Sequence, residues 1–362
     1  MKPKPRMALP ARIALLYWLC LGLQAGAAQA ATLLVSDPDN RQVVFIDTVT
    51  GQRRGAVATG AGPRMLAVSP NGQLALIGNY GSATAAGNTL QLLDIMSGRM
   101  RSTISVAPHQ RPSAIQWLPD GRRALVAVQG AKSLLKVDVQ TGQIEASYGA
   151  TAATPRQFVI SRDGRAVFLA DPAGDHVRKI DLASGKETAI SETSAAAQSL
   201  AISSDGARLW VVDRGKDSIK VLDGGDLRLI AELDAGNLPM GVALTPNGRF
   251  AMVSNALSAD IAVYDTASLE QTQLFSTRSV ASASLEPRSE EDRFSDVKRL
   301  AQISIPVGIL AAPDGLSAFV MNNFSGEIIQ FDIFTGAALH VFQGSRRAGG
   351  LAFSPVAAGG GQ

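Results

Sequence analysis

Three histidines, His109, His176 and His340, are the whole imidazole complement of this 362-residue chain. His109 and His176 fall in loops and His340 in a strand-like run. None stands in the compact carboxylate–histidine pattern that a metal site or a general base requires. No G-x-S-x-G elbow marks a nucleophile, and no glycine-rich P-loop marks a phosphate cradle. The one cysteine, Cys20, lies near the start of the chain. These features predict no catalytic residue, no metal and no cofactor. The chemistry that remains is anion recognition. Arg64, His109, Arg111, Arg156, Gln198 and Arg347 stand at or just before the first residue of recurring β-type runs. A guanidinium fork meets carboxylate or phosphate through two charge-assisted bonds. Where the runs converge, these six residues are the candidate ligand-binding set.

What must position them is a repeat. Asp47, Asp94, Asp138, Asp181, Asp223, Asp265 and Asp332 follow β-type runs, with successive gaps of 47, 44, 43, 42, 42 and 67 residues. Five read D-x-x-[ST]-G. Out of phase with them come Asn71-Gly72, Asp120-Gly121, Asp163-Gly164, Asp205-Gly206, Asn247-Gly248 and Asp314-Gly315. Such pairs make tight hairpins, because glycine accepts positive φ. Four of the six follow a proline: Pro70, Pro119, Pro246 and Pro313. A period near 42 holding four short strands is the pattern of a propeller blade. In one blade the pattern predicts strands a to d over Met65–Ser69, Leu74–Gly78, Thr89–Leu93 and Arg101–Val106. Strand b ends each time on a polar residue: Asp37, Asn79, Gln129, Asp171, Asp213, Asn255 and Asn322. Seven copies argue for scaffold, since a catalytic group is wanted once.

Strand a recurs six times before a turn marker and once more at Gly349–Ser354, whereas the first blade begins at strand b, Thr32–Ser36. The expected fold is therefore an all-β, seven-bladed β-propeller of four-stranded antiparallel blades. A C-terminal strand a joins the N-terminal b, c and d strands and so removes the open edges. The blade pattern, Ser69-Pro70-Asn71-Gly72, the D-x-x-[ST]-G turns and Val253-Ser254-Asn255 resemble the YVTN-type (YncE-like) periplasmic seven-bladed propellers over residues 31–356. That resemblance, akin to the WD40-like architecture, implies an exported binding scaffold, in some relatives an accessory to a redox enzyme. It does not imply one reaction. The tryptophan-bearing repeats that hold PQQ are absent.

Two spans break the regularity, and both fall on the face made by b–c loops and d–a connections. From Asn79 to Asp94 takes 15 residues against 9 or 10 elsewhere, and from Asp265 to Pro306 takes 41 against 16 to 18. The second holds a charged insertion over 277–302, where Phe294, Val297 and Leu300 share a helical spacing. Length variation over a rigid frame is where binding usually resides. The opposite face, built of a–b and c–d turns, reads as uniform.

The ends complete the reading. Lys2, Lys4, Arg6 and Arg12 precede an apolar run, Ile13–Leu23, and the small-x-small site Ala28-Gln29-Ala30, the pattern of a secretory signal peptide over 1–30. Its removal would leave 30 basic against 31 acidic residues from 34 and 31. It would also take away Cys20, and with it cysteine-ligated zinc, iron–sulfur clusters and thioether haem. The near-neutral mature balance does not favour single-stranded nucleic acid as partner. The expected location is periplasmic or secreted, without a membrane span, and residues 357–362 read as a disordered tail. Function is expected to be non-catalytic binding of a protein partner or a small anion at the channel mouth. The alternative is a hydrolase or lyase of the lactonase kind.

Overall fold

Short apolar runs rich in Val, Leu and Ile build the inner strands, and the burial pattern records which strands are central. Inner strands such as Arg123–Val128 are buried at every residue but the first. Outer strands such as Leu229–Asp234 alternate between exposed and half-buried. The computed structural model describes residues 31–149, 157–171, 175–193, 197–277, 305–323, 325–345 and 348–359. Within them lie 28 strands in seven four-stranded antiparallel sheets, and no helix. The first blade joins β1 (Thr32–Asp37), β2 (Gln42–Asp47) and β3 (Arg53–Ala58) to β28 (Leu351–Ser354), in the order β28-β1-β2-β3. Blade 2 is β4–β7 (63–105), blade 3 β8–β11 (112–148) and blade 4 β12–β15 (158–192). Blade 5 is β16–β19 (197–234), blade 6 β20–β23 (239–276) and blade 7 β24–β27 (305–343).

The ring closes as the strand count requires. Leu33 and Leu34, both fully buried, pair with Phe353 and Ala352 of β28. The Ser36 hydroxyl accepts from the Gly349 and Gly350 amides at 3.0 and 2.9 Å. Residues 357–359 of the expected tail are among the described residues and make specific contacts. The Ala358 amide donates to the Thr32 hydroxyl at 2.8 Å and its methyl is buried against blades 1 and 2. The Gly359 amide donates to the Met96 carbonyl at 2.9 Å. Residues 1–30, read from the sequence as a leader, the last residues 360–362 and, apart from Thr277, the 277–302 insertion lie outside the described residues.

Seven apolar clusters fill the seams between adjacent blades, so each blade is held by its two neighbours. Buried ring side chains tie the seams as well as filling them. Trp117 donates to the Ala67 carbonyl at 2.9 Å across blades 3 and 2, and Tyr148 to the Leu182 carbonyl at 2.8 Å across blades 3 and 4. The seven repeat aspartates are turn residues. In blade 1 Asp47 accepts from the amides of Val49 and Thr50 at 2.8 and 2.9 Å, and in blade 7 Asp332 from Phe334 and Thr335 at 2.9 and 2.8 Å.

One expectation about strand b fails. Gln129 does not share the register of the other six polar residues. Pro112 faces Val128, as Pro63 faces Asn79 and Pro239 faces Asn255. Val128 is therefore the blade 3 equivalent, and Gln129 lies one residue further on with its side chain on the loop face. A one-residue shift in a strand turns a side chain from one side to the other.

Candidate functional site at the mouth face

Blade 2 carries the site. Its b and c strands are longer than expected, β5 running Leu74–Gly81 and β6 Ala86–Asp94, so the extra residues form a projecting hairpin and not a loose loop. Ser82 closes its tip, the amide donating to the Ala85 carbonyl at 2.7 Å. The register shifts between Asn79 and Gly81, which is where Tyr80 sits. A bulge bends the strand and re-aims a side chain. Below it the amides of Tyr80 and Gly81 donate to the Gly62 and Ala61 carbonyls, both at 2.9 Å, which ties the hairpin to the connection entering β4 (Pro63–Val68). Gly62 has φ +61°, and a Cβ there would collide with the Gly81 carbonyl. The tie therefore needs glycine at 62. Asn79 adds bonds to Thr89 at 3.0 Å and Gln91 at 3.1 Å, and Gln91 accepts from the Gly60 amide at 2.7 Å.

Onto this frame two arginines converge. Arg64 is the extra residue of a bulge between Pro63 and Met65 on the innermost strand. Its guanidinium carbon lies 4.8 Å from the centroid of the Tyr80 ring. Arg111, at φ +59° in the connection between blades 2 and 3, places its own at 5.0 Å. Its backbone is locked on both sides, its amide donating to Gly87 at 2.7 Å and its carbonyl accepting from Gln129 at 3.1 Å. One guanidinium nitrogen donates to the Ser82 carbonyl at 3.1 Å. The Tyr80 hydroxyl donates to the Gln129 side chain. A cation over an aromatic face is held by the ring's quadrupole.

Neither arginine has a carboxylate partner among the described residues. Asp37, the strand-b carboxylate of blade 1, is occupied otherwise: Asn40 and Gln42 both donate to it at 2.8 Å. Burial raises its pKa, but bonds from Gln42 and Asn40 outweigh this and hold the carboxyl below its ordinary value. The two ring distances, 4.8 and 5.0 Å, bound the separation of the guanidinium carbons at 9.8 Å. At that range each charge still feels the other at about 0.1 M salt, where the Debye length is about 10 Å. Two like charges held together without a counter-charge favour an anion between them.

The six predicted residues divide cleanly. Arg64 and Arg111 meet at Tyr80. His109 lies two residues before Arg111, half-buried, its amide donating to the Val106 carbonyl at 2.9 Å. Gln198 occupies the corresponding bulge of blade 5, between Ala197 and Ser199, three blades from the pair. Arg156 and Arg347 lie outside the described residues. Tyr80 was not in the predicted set. The signal for it was the 15-residue span from Asn79, with an aromatic residue placed directly after the strand-b amide. Among the described residues no group of three His, Cys, Asp or Glu side chains could hold a metal ion.

The fold and this face define a seven-bladed propeller with a cationic site at one mouth. A family model described as "Lactonase, 7-bladed beta-propeller" matches residues 44–194 and 178–284, more than half of the chain. The chain belongs to the lactonase, seven-bladed β-propeller family. Among solved structures it resembles a functionally unknown protein from Desulfotomaculum acetoxidans DSM 771 at TM-score 0.69 and 14% identity. That match covers 89% of this chain and 98% of the other. It also resembles hydrazine synthase from Kuenenia stuttgartiensis at TM-score 0.64 and 20% identity, over 84% of this chain and 93% of that one. At these identities the likeness is one of fold. No curated protein sequence matches the chain.

Proposed function

We propose that this protein is an exported, non-catalytic binding propeller of the YVTN type that takes an anionic group at the mouth face, between blades 2 and 3. One observation carries the reading: two guanidinium groups rest within 5.0 Å of a single tyrosine ring with no carboxylate partner among the described residues. The ligand class is a carboxylate or phosphate, on a small molecule or on the surface of a partner such as a periplasmic redox enzyme. Export rests on the leader pattern over 1–30 and is tested by fractionating cells that express the full chain. The site is tested by calorimetric titration with citrate and inorganic phosphate. An Arg64→Ala/Arg111→Ala double variant should bind at least about tenfold more weakly, the scale of losing charge-assisted bonds, and wild-type affinity should fall with added salt. Equal affinities in the two proteins would refute the site.

The family match favours a second reading, hydrolysis of a lactone. What supports binding over hydrolysis is the make-up of the cluster, two cations, a phenol and an amide, which are groups that hold an anion. A pH-stat assay of the purified protein on simple γ- and δ-lactones decides between them. Turnover that survives the double variant but fails in an unfolded control would put a catalytic site elsewhere in the ring.

A further inference from the structure

The opposite, turn-bearing face is regular except at one seam, and the exception has a visible cause. At four seams a proline at the end of strand a leans on the a–b turn glycine of the next blade. A Cβ placed on Gly72 would lie 2.6 Å from Pro355, and one on Gly164 would lie 2.9 Å from Pro119. At Gly315 and Gly121 the same test finds Pro246 at 3.8 Å and Pro70 at 4.0 Å. Ser204 fills the role less fully against Gly248, at 3.4 Å. In blade 4 the position is Arg162, whose side chain runs across the seam to donate to the Ser204 carbonyl at 3.3 Å. Gly206 is left with nothing within 4 Å.

A groove of about 710 Å³ opens there between blades 4 and 5. Ala166, Phe168 and Ile202 contribute its apolar lining. Lys179 lies 5.5 Å from the Phe168 ring, and its ammonium is taken up by the Gly224 and Gly225 carbonyls at 2.8 and 2.9 Å. The three carboxylates in the lining are committed to their own turns. Asp163 accepts from Ser161 at 2.6 Å, Asp181 from Ser184 at 2.7 Å and Asp205 from Ser203 at 2.5 Å. Two cations stand at the rim: Arg162, held to the Ser204 carbonyl, and Arg165, 4.0 Å from Asp163 with its side chain 85% exposed.

We infer that this seam is a docking groove for a proline-bearing segment of a partner protein, the proline seated over Gly206 as the chain's own prolines sit over Gly72 and Gly164. The occupant follows from the ring itself, which seats a proline over the turn glycine at four other seams. The exposed arginines at the rim, Arg162 and Arg165, favour an acidic residue beside the proline, as in the chain's own Pro119-Asp120. The site is separate from the mouth face and does not depend on it.

The probe is a fluorescently labelled peptide copying residues 117–121, Trp-Leu-Pro-Asp-Gly, with an alanine-for-proline version as control. Wild type should bind the probe saturably and the control at least about tenfold more weakly, the scale of burying one small apolar ring. Arg162→Pro should fold, because four other a–b turns carry proline at this position (Pro70, Pro119, Pro246 and Pro313), and should close the seat with a similar loss. Amide hydrogen exchange on the wild type supplies a readout that needs no variant, with the probe slowing exchange at Ser204 to Ala207. Absence of saturable binding, equal binding by Arg162→Pro, or protection confined to other blades would overturn the inference.

Discussion

Ending the chain at Gly344 should destroy the ring. The cut removes β28, which supplies the innermost strand of blade 1. Buried Ala352 and half-buried Leu351 and Phe353 are lost, and Leu33, Leu34 and Val35, all fully buried, lose their cover on that edge. At 1.5–3 kcal/mol per large apolar side chain, this partial uncovering costs about 3–5 kcal/mol. The Ser36 hydroxyl loses the Gly349 and Gly350 amides, the Ser36 amide loses the Gly350 carbonyl, and Thr32 loses the Ala358 amide. Four bonds at about 1 kcal/mol each add about 4 kcal/mol. The total, about 7–9 kcal/mol, consumes most of the roughly 5–15 kcal/mol that holds a typical domain together. The exposed edge of β1 would also invite pairing with other chains. Circular dichroism melting with size-exclusion chromatography should find the truncated chain unfolded or aggregated at 25 °C. A monomer melting within about 2 °C of full length, a shift worth only about 1–2 kcal/mol at this chain length, would refute this account of closure.

Asp47→Ala leaves the Val49 and Thr50 amides and Arg54 without their acceptor. It should lower stability by about 1–2 kcal/mol in chemical denaturation while anion affinity at the mouth stays unchanged. All seven repeat aspartates have pKa values below the ordinary 3.8. Lowered folded values mean that their contribution is complete above the unfolded pKa and is lost as pH falls through the folded ones. Melting temperature should thus be flat from about pH 7 to 5 and drop below about pH 4, and an onset above pH 5 would contradict the assignment. Gly62→Ala, forced to φ +61° against the Gly81 carbonyl, should cost about 1–3 kcal/mol and weaken anion binding with it. Unchanged binding would show that the Gly62 tie does not position Tyr80.

The fold was legible because it is repeated. Seven aspartates and six hairpin turns average out the boundary errors that defeat a single strand, and the extra strand a near the C-terminus fixed how the ring closes. Gln129 was misplaced because residue type alone cannot distinguish a strand's last position from the one after it. Register does, and register depends on the neighbouring strand. The mouth site was half legible. Arg64 and Arg111 stand out as cations at recurring positions, but their meeting at Tyr80 depends on a bulge and an extended hairpin, which are properties of the folded blade. The seam beside Gly206 was written in the sequence as two turns without proline, Arg162 and Ser204. Its meaning emerges only when each turn is seen to lean on the next blade.

The claim that two arginines and a tyrosine form an anion site is tested most directly by diffraction from crystals soaked in selenate, recorded at the selenium absorption edge. The account predicts an anomalous peak within hydrogen-bonding distance of both the Arg64 and Arg111 guanidinium groups at the rim of the Tyr80 ring. A peak there should vanish in the Arg64→Ala/Arg111→Ala protein. Anomalous density at other arginines with none at this pair would contradict the site and the function drawn from it.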